Sequence, residues 1–195
     1  MIIRHRSVVA ALLALLGALV MTSACSSTTS SSGAQDQSLA AGQQSNAGPV
    51  AGYTMTIPKL NVTSQLVGLG LNPDKSIQVP PLADPMQAGV YTKGPMPGQV
   101  GPAVVLAHIN AGGKPGFGSG FHTLVAGDKI NVTTPTGPVA FTVTRTETLP
   151  KSEFPTAQVY SDTKGPELRL ITCGGTLDRA AHNYLGQTIV FATKA

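Results

Sequence analysis

Glycine and proline interrupt this chain at short intervals beyond residue 53, and runs rich in β-branched residues fill the spaces between them. Proline cannot continue a helix or a central strand, and glycine supplies the backbone freedom of tight turns. Helical periodicity is almost absent. Many short strands with closely spaced turn signals predict a closed or sandwich-like all-β domain. The predicted strands are 53–57, 65–70, 100–109, 129–134, 139–149, 167–172 and 188–193.

The predicted strands belong to one domain, residues 53–195, without an internal repeat. Residues 136–138 (TGP) form a turn between two strands, so 129–149 is predicted as a hairpin. Short helical turns are predicted near 81–87 and 154–159.

The N-terminus has the layout of a secretory signal peptide. Arg4, His5 and Arg6 precede an apolar run over 7–21, which is shorter than the roughly twenty residues of a spanning helix. We therefore predict a signal peptide over 1–24 and an exported protein. The alternative is a retained N-terminal anchor, which also places the domain outside the cytoplasm.

Cys25 follows small residues directly after the apolar run, as in a bacterial lipoprotein cleavage site, although Thr22 stands where such sites have Leu or a similar residue. We predict that Cys25 is lipidated. Residues 25–52 are Ser, Thr, Gln, Ala and Gly with almost no branched apolar or aromatic residues, a composition that cannot form a core. They are predicted to be a flexible tether to the outer face of the membrane.

The charge and the distribution of ligand-type residues exclude two function classes. The net charge is +4, and removal of Arg4 and Arg6 leaves +2, which gives no case for nucleic-acid binding. The carboxylates are scattered, the histidines lack ligand spacing, and no nucleotide-binding fingerprint follows a strand. We expect no metal, no other cofactor and a monomer.

Cys173 is the residue that most clearly suggests chemistry. The chain has two cysteines, so lipidation or removal of Cys25 leaves Cys173 without a disulfide partner in an oxidising compartment. It is predicted at the end of an apolar strand, before Gly174 and Gly175, where a thiol is presented rather than buried. The alternative is a small hydrophobic side chain within a strand.

His108 ends another apolar strand, just before a glycine-rich stretch at 111–120. A lone His is often structural, but Cys and His together supply a nucleophile and a proton-transfer group. His122 and His182 are the competing histidines.

These residues resemble sortases, and more closely the class F sortases of actinobacteria. Residues 170–173 (LITC) resemble the sortase T-L-x-T-C signature, and His108 stands where the family has its catalytic His. The resemblance covers roughly 53–193, with matching segments in the family's order: 56–62 (TIPKLNV), 94–105 (GPMPGQVGPAVV), 121–130 (FHTLVAGDKI), 154–160 (FPTAQVY) and 166–179 (PELRLITCGGTLDR).

The resemblance implies an eight-stranded β-barrel and a Cys–His–Arg site that acts at an LPXTG-like sorting motif. Cys173 would attack the Thr–Gly carbonyl to form a thioacyl enzyme, and His108 would protonate the leaving amine and then deprotonate the acceptor. The implied partners are a surface-protein peptide and a cell-wall amine, or water as the acceptor.

The arginine of the site has three candidates, because Gln187 occupies the place on the last strand where many sortases have Arg. Arg179 follows Asp178 in the Asp-Arg pattern that class F sequences have after Cys-Gly-Gly, and it is the predicted catalytic Arg. Arg169 and Arg145 are the next candidates.

Two residues depart from the family pattern, and three alternative interpretations stand beside the predicted function. Ala107 and Asn110 replace residues that are often Gly and Asp in the family, so an inactive member is an alternative. An L,D-transpeptidase is another exported Cys enzyme, but its signature has an Arg two residues after the Cys. The last alternative is a non-catalytic exported β-domain lipoprotein with a structural Cys173.

Overall fold

The computed structural model describes residues 48–195, and eight of their strands form a closed barrel. The strands are β1 (Pro49–Ile57), β2 (Val62–Leu69), β3 (Ala88–Tyr91), β4 (Gly101–Ala107), β5 (Asn110–Ala111), β6 (Lys114–Pro115), β7 (Lys129–Thr134), β8 (Gly137–Pro150), β9 (Pro166–Asp178) and β10 (Asn183–Lys194). The barrel order is β1-β2-β3-β4-β9-β10-β8-β7, and β5 and β6 form a separate two-stranded sheet. The predicted all-β class and eight-stranded barrel are confirmed.

Helical structure in 48–195 is short. The 3-10 helices are Pro58–Leu60, Phe121–Thr123 and Lys151–Glu153, and the single α-helix, α1, is Thr156–Tyr160. Helix α1 overlaps the helical turn predicted at 154–159, whereas 81–87 contains non-helical turns. No helix in this part of the chain is long and apolar enough to cross a bilayer. The predicted signal peptide and Cys25 lie outside the described residues.

Three adjacent barrel strands, β4, β9 and β10, are buried on both faces. Their inward side chains, such as Val105, Leu170 and Val190, join the main core inside the barrel. Their outward side chains, such as Leu106 and Ile171, pack in a second apolar cluster on the outside. Successive side chains of a strand point to opposite faces, so burial on both faces explains why these strands are continuous apolar runs in the sequence.

The first strand begins earlier than the sequence predicts. β1 starts at Pro49 rather than at residue 53, and Pro49 pairs with Val67 of β2. Val50 packs against the main core. A bulge between Pro49 and Thr54, with Gly52 at a φ of 79°, breaks the ladder there. The residues around this bulge are small or polar, so their composition does not indicate a strand.

The pairing of β4 with β9 and of β9 with β10 determines what can meet at the outer face. β4 and β9 are parallel, and their last paired positions are Leu106 and Ile171. β9 and β10 are antiparallel, and Cys173 is paired with Gln187. These two registers bring residues from three distant parts of the sequence to one edge of the sheet.

Candidate active site

Cys173 lies within β9, not at its end. The strand continues to Asp178, because β10 remains paired with it as far as Asn183. The predicted strand end at residue 172 is therefore wrong. The parallel partner β4 does stop nearby, so the β4 side of Cys173 is open, and the residue is only partly buried. The thiol is presented at the edge of a parallel strand pair rather than at a turn.

His108 follows β4 directly and lies beside Cys173. Each residue is two positions beyond the last pair that joins β4 to β9, Leu106 with Ile171. Parallel strands advance in step, so the two side chains occupy neighbouring positions on the same outer face. Both line a pocket of about 120 Å³. No hydrogen bond joins them among the contacts of residues 48–195. The pocket thus holds a nucleophile and a proton-transfer group.

The imidazole of His108 is held in one orientation. It is only 4% exposed, and its Nε2 lies 2.7 Å from the Pro80 carbonyl oxygen. A carbonyl oxygen only accepts, so Nε2 must carry the proton. In the neutral ring Nδ1 is then the nitrogen that is able to accept a proton. The bond to Pro80 therefore fixes the tautomer that a general base requires.

The glycine-rich stretch after His108 supports its backbone. The His108 carbonyl oxygen accepts a hydrogen bond of 2.9 Å from the Gly118 N–H. A Cβ at Gly116 would overlap that same carbonyl oxygen, and a Cβ at Gly118 would lie 2.6 Å from Oγ1 of Thr172. Only glycine permits this close approach. Gly116 and Gly118 are therefore required by the packing around His108.

The electrostatic environment favours a neutral resting pair. Burial raises the pKa of the Cys173 thiol, and the positive charge of Lys151 offsets part of that rise. Burial lowers the pKa of His108, and the hydrogen bond to Pro80 offsets part of that fall. Both directions favour thiol and neutral imidazole over thiolate and imidazolium at neutral pH.

An apolar groove of about 550 Å³ adjoins the pocket. The two share Leu106, Ile171 and Gln187 as lining residues. The aromatic side chains of the groove come from β3, from α1 and from the segment before α1: Tyr91, Phe154 and Tyr160. An extended ligand that lies in this groove would pass the pocket that contains Cys173.

Comparisons with known proteins identify the family of this chain. The sortase domain family model matches residues 55–195. This chain belongs to the sortase family. Sortases are cysteine transpeptidases that act on surface proteins carrying a sorting motif and on amine nucleophiles. A search of the curated proteins found no match.

Solved sortases share the fold at low sequence identity. A lid mutant of sortase A from Corynebacterium diphtheriae is 15% identical, with a TM-score of 0.57, over 77% of this chain and 73% of that chain. Sortase C from Clostridium perfringens SM101 is 20% identical, with a TM-score of 0.55, over 76% and 71%. Sortase D5 from Clostridium perfringens is 19% identical, with a TM-score of 0.55, over 74% and 78%.

The predicted catalytic arginine of this sortase does not line the Cys173 pocket. Arg179 is exposed in the turn between β9 and β10. It lies six residues beyond Cys173, roughly 20 Å along an extended strand at about 3.3 Å per residue. The two other candidates, Arg169 and Arg145, are also absent from the lining. The structure thus brings Cys173 and His108 together and leaves Arg179 apart.

The competing histidines are likewise remote from the pocket. His122 is exposed in the 3-10 helix Phe121–Thr123, and His182 is exposed in the β9–β10 turn with a φ of 49°. Neither lines the pocket that holds Cys173.

The sequence did not predict three of the residues that line the sortase pocket: Pro80, Lys151 and Gln187. Pro80 lies in the long β2–β3 connection, and Lys151 begins the 3-10 helix after β8. Nothing local in the sequence marks either residue. The sequence shows only that Gln187 stands where many sortases have Arg. The pairing register of β9 and β10 places it opposite Cys173.

Proposed function

We propose that this sortase cleaves an LPXTG-like sorting motif between Thr and Gly and transfers the acyl group to an amine, or to water. The observation that carries the proposal is the placement of Cys173 and His108 at neighbouring positions on one sheet edge, within one pocket. The class F assignment, which rests on the sequence segments, is part of the proposal.

The proposed chemistry follows from the two side chains. His108 Nδ1 accepts the thiol proton of Cys173, and the sulfur attacks the carbonyl carbon of Thr. The tetrahedral intermediate collapses as the C–N bond breaks, and the imidazolium gives its proton to the Gly amine. An incoming amine then loses a proton to His108 and attacks the thioester. The C–S bond breaks, the Cys173 thiolate leaves, and it takes the proton back from His108. Nε2 keeps its proton throughout, since Pro80 accepts from it.

The adjoining groove suits the apolar part of such a motif. Its lining includes Ile77, Leu106 and Ile171, with the aromatic rings of Tyr91 and Phe154. Burial of an apolar side chain contributes about 25 cal/mol for each Å² removed from water. The Leu and Pro of a sorting motif would therefore bind here, upstream of the scissile bond.

Arg179 remains the arginine that the sequence predicts for transition-state stabilisation. From its place in the β9–β10 turn it would act only if that turn folds over the pocket. The catalytic role of Arg179 is a prediction, and the Arg179→Ala variant tests it.

A fluorescence-quenched LPXTG peptide, incubated with an amine acceptor, tests the function. The wild type should cleave it and form a Cys173 thioester detectable by mass spectrometry. Cys173→Ala should abolish cleavage with an unchanged circular dichroism spectrum. His108→Ala should lose roughly 10²- to 10⁴-fold in rate. Thr176→Ala, an exposed site on β9 outside this pocket, is the matched control.

Cleavage that persists in Cys173→Ala would refute the proposed nucleophile. A wild-type enzyme that forms no thioester with the peptide, yet has a slowly reacting Cys173, would instead favour the non-catalytic β-domain.

We also propose that the enzyme is exported and held at the outer face of the membrane through a lipid on Cys25, after removal of residues 1–24. Cys25→Ser tests this in cells supplied with a labelled fatty acid. The wild type should carry the label and sediment with membranes, and the variant should lose the label. An unlabelled wild type that still sediments with membranes would point to a retained N-terminal anchor.

A further inference from the structure

The arginines of the described residues are engaged or remote from the Cys173 pocket. Arg169 donates to the carbonyl oxygens of Gln158 and Leu168 and to the Glu167 carboxylate, at 2.6 to 3.0 Å. Arg145 donates to Glu147 and Gln158, both at 2.6 Å. Arg179 is exposed in the β9–β10 turn. None of the three lines the pocket that contains Cys173.

Gln187 is the donor-bearing side chain directly opposite Cys173. The two residues are paired across β9 and β10, and both line the same pocket. Gln187 is only 9% exposed, and its Nε2 has no hydrogen-bond partner among the described residues. A buried N–H without an acceptor costs free energy, so it requires an explanation. A substrate oxygen bound next to the sulfur would supply the acceptor.

Lys151 is the cation of this pocket. It lies at the end of β8, lines the pocket with Cys173, and donates from Nζ to Oδ1 of Asn183 at 2.9 Å. Lys151 is exposed, and no carboxylate within residues 48–195 forms a salt bridge with it. An uncompensated positive charge beside a pocket favours negative charge that develops inside it.

We propose that Nε2 of Gln187 donates to the oxyanion that forms when Cys173 attacks an acyl carbonyl, and that Lys151 supplies the positive charge of this site. This deepens the proposed function and rests on Cys173 as its nucleophile.

The proton and the electron pairs of this step all come from Cys173, His108 and the substrate. The Cys173 thiol gives its proton to His108, the C–S bond forms, and the carbonyl π electrons move to the oxygen. The Gln187 amide binds that oxygen, and Lys151 lowers the energy of its charge. The C–N bond then breaks, the electrons return to the carbonyl, and His108 protonates the amine.

Two probes of the same sulfur separate this role from a structural one. Acylation by p-nitrophenyl acetate passes through an oxyanion, whereas alkylation by iodoacetamide displaces iodide from a saturated carbon and forms none. Gln187→Met keeps the length of the side chain and removes its donor. We expect its acylation rate to fall roughly 10²-fold, with alkylation unchanged. Gln187→Leu is the second variant, and Gln65→Met, at an exposed position on β2, is the control.

Lys151→Met should slow alkylation several-fold near pH 8, because the pKa of the Cys173 thiol rises when the cation is removed. It should slow acylation more than alkylation, because the oxyanion also loses its positive partner. Lys151→Arg should restore both rates. Lys194→Met, at an exposed position near the end of β10, should match the wild type.

Equal acylation by Gln187→Met and the wild type would overturn the proposal. A parallel loss in acylation and alkylation would also overturn it, because Gln187 would then act on the thiol or the fold. A wild type that is not acylated by the ester would do the same. The ester is independent of the sorting motif, so acylation without peptide cleavage would reject the proposed substrate and leave the Gln187 assignment standing.

Discussion

The two ends of the outer face of β4, β9 and β10 differ in how fully their buried polar groups are hydrogen-bonded. At the Arg169 end, the guanidinium has three hydrogen-bond acceptors and lies 4.9 Å from the Phe191 ring, with Arg145 3.5 Å from the same ring. At the Cys173 end, Nε2 of Gln187 is buried without a partner among the described residues, as is Oγ1 of Thr172 on the inward side of β9. Both ends belong to the same strands, so strand structure alone does not explain the difference.

We infer from this difference that the Arg169 end serves stability and that the Cys173 end serves function. A buried polar network whose members are all paired holds the fold in one arrangement, whereas unpaired buried groups cost stability unless they serve a ligand. Arg169 also fixes α1, since it donates to the Gln158 carbonyl, and α1 contributes Tyr160 to the apolar groove. The Arg169 end thus supports the groove, and we propose that the Cys173 end performs the chemistry.

Arg169→Ala should have the largest effect on stability. It removes a cation that is 5% exposed and leaves Glu167 and the Gln158 carbonyl without their donor. We expect a loss of about 3 kcal/mol in the free energy of unfolding, measured by urea denaturation.

Arg179→Ala is the matched variant and should change stability by less than about 0.5 kcal/mol. In the peptide assay it divides the two assignments. A catalytic Arg179 predicts a loss on the order of 100-fold, whereas an oxyanion site built from Gln187 and Lys151 predicts little change. A hundredfold loss in Arg179→Ala would show that the β9–β10 turn moves over the pocket.

Gly116→Ala should have the next largest effect. The added Cβ would overlap the His108 carbonyl oxygen and lie 2.9 Å from the Pro85 oxygen, so backbone must move. Overpacking of this kind costs about 1–3 kcal/mol, and the displaced His108 should lower peptide cleavage as well. Gly165→Ala is the control, because nothing lies within 4 Å of its Cβ. Equal melting temperatures and activities for the two variants would contradict the packing role of the glycine-rich stretch.

The sequence predicts this molecule well where the information is local. Alternating apolar runs and turn residues predict the all-β class, and the apolar strand that leads into His108 appears as β4. The sequence does not predict contacts that depend on the pairing register of the strands. Cys173 lies inside β9 because β10 continues alongside it, and Gln187 meets Cys173 through pairing between strands. Lys151 reaches the pocket from the end of β8, which no short-range pattern reveals.

The smallest effect should appear in acid and concerns the buried imidazole. Burial lowers the pKa of His108 in the folded protein, with Lys151 and Cys173 lining the same pocket. The folded state therefore binds this proton less readily than the unfolded chain. Its stabilising contribution is complete above the ordinary His pKa of about 6.5 and is lost as pH falls toward the lower folded-state value.

His108→Gln keeps a donor for the Pro80 carbonyl and removes the titration. The stability gap between the wild type and this variant should therefore shrink, in the variant's favour, between pH 7.5 and pH 5, as measured by urea denaturation. Cys173→Ala should run parallel to the wild type over the same range, since a thiol does not titrate there. A gap that stays constant with pH would mean that the His108 pKa is the same in both states. The Cys173 end would then carry no electrostatic cost at His108, and its unpaired groups alone would distinguish it from the Arg169 end.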